Sequence, residues 1–98
     1  MPTLEVDVQP TVVKVTFQAE HVLFHLADGR SLFVPLTWYP RLLHGTSAER
    51  ERYEVFAEGE AVEWPDLDEH IGIDSVLAGR RSAESQALLE KWLSSRNP

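Results

Sequence analysis

Residues 13 to 36 carry an apolar alternation interrupted by one Asp-Gly pair, and this pattern limits the possible folds more than any other feature. Val13, Val15 and Phe17 alternate with Lys14 and Thr16, a period of two that fits a strand with one buried face. Val22, Phe24 and Leu26 alternate in the same way with His21, Leu23 and His25. Asp28-Gly29 supplies the residues of a tight hairpin turn, because glycine tolerates positive φ. Leu32, Val34 and Leu36 continue the alternation beyond it. We read three antiparallel strands, at 11–18, 21–27 and 30–36. One apolar sheet face must be covered, and the helical segments that follow are its natural cover.

Thr37 fits the cap of a short helix with Trp38 and Tyr39 in its first turn, Pro40 tolerated there, and Gly45 as its stop. Thr46 to Glu49 reads as a capping box opening a second helix over 47–57, with Gly59 just past its end. Ala61 to Trp64 reads as a short strand broken by Pro65. Residues 71–73 are extended, and Asp74 caps a single turn over 75–78. Ser82 opens a last helix over 82–96, whose Leu88, Leu89, Trp92 and Leu93 form an apolar stripe. The expected fold is α+β: an N-terminal three-stranded antiparallel meander followed by short helices, a small extended segment and a C-terminal amphipathic helix. Residues 1–80 form one domain, and 81–98 form a helix that packs on it or on another chain. Arg80-Arg81, between two helices, reads as a hinge.

With 98 residues, 43% of them hydrophobic, the chain suits one modest core. It has no cysteine, so disulfides, thiolate catalysis and Cys-ligated zinc are excluded. Met1-Pro2-Thr3-Leu4-Glu5 lacks the basic and apolar regions of a signal peptide, and no apolar run approaches the ~20 residues of a membrane span. A soluble cytoplasmic protein is expected. The net charge is -7. Residues 53 to 79 hold eight acidic residues and no Lys or Arg, so the acidity is local. Such a block is either a solvated face or a docking face for a basic partner. Direct nucleic-acid binding is not expected, since it needs clustered Lys and Arg.

Trp38, Tyr39, Arg41, Trp64, Asp66, Asp68 and Glu69 are the candidate partner-binding residues. Interfaces favour Trp, Tyr and Arg as anchors, and the carboxylates supply the field. In the alternative reading, the aromatics cover the sheet and Arg41 neutralises the acids. Asp66, Asp68, Glu69 and His70 form a weak alternative metal set, because only a tight loop would bring neighbours at this spacing together. His21 and His25 share a strand face about 13 Å apart, at ~3.3 Å per residue, too far to hold one ion. No Ser-His-Asp or glycine-rich phosphate pattern is present, so no catalytic residue and no cofactor are assigned.

Asp28-Gly29-Arg30, Val34-Pro35-Leu36, Trp38-Tyr39-Pro40-Arg41-Leu42, Glu49-Arg50-Glu51, Gly59, Trp64-Pro65-x-Leu67-Asp68-Glu69-x-Ile71 and Val76-Leu77-Ala78-Gly79 occur in this order. In that order and spacing they resemble the small bacterial family catalogued as domain of unknown function 2442, over residues 4 to 80. The resemblance implies a compact α+β domain without established catalytic residues. It also implies a partner encoded nearby, in a toxin–antitoxin-like pair. The family usually has a second acid where His70 stands, so an all-acidic cluster is not reproduced. The first expectation is a non-catalytic protein-binding module that docks a basic protein through its acidic face. The alternatives are a small metal-dependent or ligand-binding enzyme, and a homo-oligomeric scaffold joined through the 82–96 helix.

Overall fold

In the structure, a computed structural model whose described residues are 10–96, the α+β architecture is present. Strands β1 (Val12–Gln18), β2 (His21–Leu26) and β3 (Ser31–Pro35) form an antiparallel sheet in that order. The β2–β3 turn places Gly29 at φ +96°, and Asp28 accepts a 3.0 Å hydrogen bond from the Arg30 backbone N–H. The β1–β2 turn has no glycine, and Ala19 takes φ +53° there. The register of β1 slips between Val12 and Lys14, a bulge. Val12 therefore joins Val15 on the buried face, while Val13 is left 61% exposed, against the simple alternation.

Leu36–Trp38 forms a 3-10 turn, and α1 (Pro40–Leu43) follows it. Tyr39, at φ -130° and ψ 85°, divides the single helix expected from Thr37 to His44. Pro40 is the cause, because its ring disfavours helical geometry in the residue before it. α2 (Ser47–Glu51) opens on the expected capping box. Glu49 donates its backbone N–H to Thr46 Oγ1 at 3.1 Å, and its carboxylate accepts from the Thr46 N–H at 2.8 Å.

The helix expected over 47–57 stops at Glu51. Residues 54–56 are drawn instead into β4 (Glu54–Phe56), which pairs with β5 (Ala61–Trp64). Val55 and Phe56 are residues that fit a pleated sheet, and Arg52 interrupts the apolar face a longer helix would have needed. β6 (Glu69–Gly72) completes a second antiparallel sheet in the order β4-β5-β6. Gly59 is therefore not a helix stop. It lies at φ +89° in the β4–β5 turn, where a Cβ would meet Thr11 Cβ at 2.7 Å.

Trp64 unites the two sheets. It is fully buried and meets Phe17 and Phe24 of the first sheet edge-on, with ring centroids 6.3 and 6.5 Å apart. Its indole N–H donates to the Arg50 carbonyl at 2.9 Å, so its polar edge is satisfied. α3 (Ile73–Leu77) follows β6 directly, with Gly72 at its cap position. α4 (Gln86–Arg96) begins four residues after the expected Ser82, and Ser85 Oγ accepts from the Leu88 N–H at 3.2 Å. The helix folds back on its own chain. Leu89 is buried, Trp92 packs against the core, and Arg96 makes two hydrogen bonds to Glu49, at 2.7 and 3.0 Å. Leu88, expected in the apolar stripe, is 56% exposed.

Candidate functional site

The eight acids of residues 53–79 divide into two sets. Asp66 accepts from Arg52 Nε at 2.5 Å, and Asp68, with 92% of its side chain exposed, lies 3.4 Å from Arg41 Nη1. Glu69 is half-buried. The other five, Glu54, Glu58, Glu60, Glu63 and Asp74, are exposed and make no ion pair among the described residues. All five belong to the second sheet or to segments joined directly to it.

Strand pairing fixes where two of these five, Glu54 and Glu63, point. Val55 pairs with Val62, and Val62 with Ile71, the latter two buried in the core. The neighbouring positions must face the other way. Glu54 stands opposite Glu63, and Glu63 opposite His70. Phe56, 38% exposed, shares this outer face and lies 4.9 Å from the His70 ring. Two glutamates directly across from each other repel, which disfavours the sheet. Glu58 extends the negative edge from the β4–β5 turn, where it and Ala57 both hold φ +55°. Sequence reasoning passed over Glu54 and Glu63, because reading 47–57 as helix hid the pairing that sets them face to face.

Arg41 organises a second cluster at the β5–β6 turn. Its guanidinium donates to Glu84 through Nε at 3.0 Å and Nη2 at 2.5 Å, and to the Leu67 and Asp68 carbonyls at 3.3 Å. It also lies 4.9 Å from the Trp92 ring. Arg41 thus ties α1 to the segment ahead of α4 and to the β5–β6 turn, and it neutralises only part of the acidic block. Burial pushes the Glu69 carboxyl up, while the His70 backbone N–H and Arg41 pull it back. Tyr39 is pushed up to about 12, first by burial and then by the nearby Glu69 charge.

The sequence-derived candidates therefore scatter. Trp64 and Tyr39 are core residues, at 0% and 4% exposure. Trp38 is half-buried, with the Arg81 guanidinium 5.1 Å over its ring. Asp66, Asp68, Glu69 and His70 do not converge. They turn respectively to Arg52, to Arg41, towards the interior and to Phe56. Among the described residues no group of three or more His, Asp or Glu is placed to hold a metal ion. His21 and His25 lie on the outer face of the first sheet. His21 stacks on Phe33 at 4.2 Å, and His25 contacts Thr16 Oγ1 at 2.8 Å and Ser31 Oγ at 3.1 Å. No helix among the described residues is long and apolar enough to cross a membrane.

A family model described as "Protein of unknown function (DUF2442)" matches residues 12–82. No curated protein matches the chain in sequence. Two solved structures share its fold. A protein of unknown function from Rhodospirillum rubrum is 18% identical with a TM-score of 0.68, over 84% of this chain and 99% of that one. An uncharacterised protein from Chromobacterium violaceum is 21% identical with a TM-score of 0.65, over 89% of this chain and 76% of that one. The family match ends at Ser82, ahead of α4.

Proposed function

This chain belongs to the DUF2442 family, whose description leaves function open, and from its geometry we propose that it is a non-catalytic protein-binding module. The outer face of β4-β5-β6 docks a basic protein partner, encoded nearby in an antitoxin-like arrangement. The observation that carries this reading is Glu54 set directly opposite Glu63 on an exposed face, with no cation paired to either among the described residues. Like charges in that position cost stability in the free protein, and a cationic partner recovers the loss on docking. Phe56 beside them offers an apolar anchor, since interface centres favour aromatic residues.

The test is co-expression with the products of adjacent genes, followed by affinity capture at low and high salt. The reading expects a stable complex at low salt that weakens as salt rises, and that is lost in Glu54→Lys/Glu63→Lys. A complex indifferent to both salt and these substitutions, or no complex with any neighbour at low salt, contradicts it.

A further inference from the structure

A cleft of about 310 Å³ separates β6, an edge strand of the second sheet, from the segment 80–83. The Ser82 backbone N–H donates to the Trp38 carbonyl at 3.0 Å, which fixes that segment in place. Tyr39 lines the cleft, is 4% exposed, and has a buried hydroxyl with no hydrogen-bond partner. Tyr39 Oη is the only such side-chain atom among the described residues, and buried phenols ordinarily find a partner. Glu69 lines the same cleft, near enough for its charge to oppose ionisation of the Tyr39 phenol.

Two arginines, Arg80 and Arg81, line the cleft as well. Both are exposed and make no ion pair among the described residues, the Arg81 guanidinium resting over the Trp38 ring. Arg80 Nη1 lies 3.5 Å from Ser75 Oγ, which lines the cleft as well. Two arginines, one glutamate and a tyrosine with an unpartnered hydroxyl thus line one small space. A simple anion such as phosphate satisfies the arginines but faces Glu69. A simple cation satisfies Glu69 but faces the arginines. A water molecule satisfies Tyr39 and leaves the charges unused. A molecule carrying both signs uses every group, and the volume falls at the small end of ligand pockets, ~300 Å³.

We propose that this cleft is a binding site for a free α-amino acid, with its carboxylate held by Arg80 and Arg81 and its ammonium between Glu69 and the Tyr39 hydroxyl. The site lies along the β6 edge and does not depend on the docking face of Glu54 and Glu63. Amide NMR of the full chain, titrated with proteinogenic amino acids to millimolar concentration, tests it. At least one gives saturable shifts centred on residues 39, 69–75 and 80–83. Masking its amine as the acetyl form or its carboxylate as the amide abolishes them. Glu69→Gln and Arg80→Ala/Arg81→Ala each weaken binding by roughly tenfold or more, the scale of one lost charged hydrogen bond, and Tyr39→Phe weakens it while the spectrum stays folded. The proposal is overturned if no amino acid gives saturable shifts. Equal binding of the masked analogues, binding that survives Glu69→Gln, or inorganic phosphate binding as tightly as any amino acid would also overturn it.

Discussion

The two sheets have the same number of strands and the same antiparallel order, yet their outer faces are built in opposite ways. The first satisfies itself: His25 bridges to Thr16 on β1 and Ser31 on β3, and His21 stacks on Phe33. The second sets Glu54 against Glu63 and leaves Phe56 beside them. Both sheets place their inner residues in one core around Trp64. The difference therefore lies outside the packing. A face whose charges oppose the fold's own stability is the face on which function is to be sought.

Removing what the sheets share gives the largest effect. Trp64→Ala empties a fully buried indole site, and urea denaturation is expected to show a loss of about 3–5 kcal/mol. Phe33→Ala, on the outer face of the first sheet, stays within about 0.5 kcal/mol of the parent. A large loss there would end the view that this face is peripheral to the core. Arg41→Ala comes next, at about 3 kcal/mol. It strands Glu84, whose side chain is only 11% exposed, and loosens the β5–β6 turn along with the segment ahead of α4. Equal stability of this variant in the same denaturation assay would show that the second sheet holds its shape without Arg41.

Two titrations sharpen the contrast further. Arg96 first, and the Thr46 N–H next, hold the Glu49 carboxyl at about 2 instead of 4.5. A lowered carboxyl stabilises the fold above pH 4.5, and that contribution is lost as pH falls from there through about 2. Melting temperatures of Glu49→Gln should therefore fall less steeply with acid across this window than those of the parent. Tyr39 behaves in the opposite sense. Its raised value of about 12 favours the fold below pH 10, and that contribution drains away as pH rises through 12. Ultraviolet absorbance should show one phenol ionising late, and Tyr39→Phe should remove that step. Smaller again, Ala57→Gly is expected to add about 0.5–1 kcal/mol, because it relieves a left-handed alanine in the β4–β5 turn.

The first sheet was legible because its strands alternate and Asp28-Gly29 marks one turn. The bulge was not, since Val12 and Val13 are the same residue and nothing local says which one turns inward. The capping box located the start of α2 at Ser47. Its end at Glu51 depends on pairing with β5, a long-range effect that outweighs local helical pattern. That misreading also hid the site. With 47–57 as helix, Glu54 is one charge on a solvated surface, and its partner across the strand pair, Glu63, has no reason to stand near it. In sequence Trp64 fits both an interface anchor and a core residue, and its burial places it in the core. The charge of the block was visible at once, but which carboxylates remain unpaired followed only from where Arg41 and Arg52 reach.

The measurement closest to the central claim is the stability of Glu63→Lys alongside its binding to the adjacent gene product. Placing a cation opposite Glu54 should raise the stability of the free protein by roughly 0.5 kcal/mol and abolish the complex. A variant no more stable than the parent that still binds its partner undiminished would contradict the account.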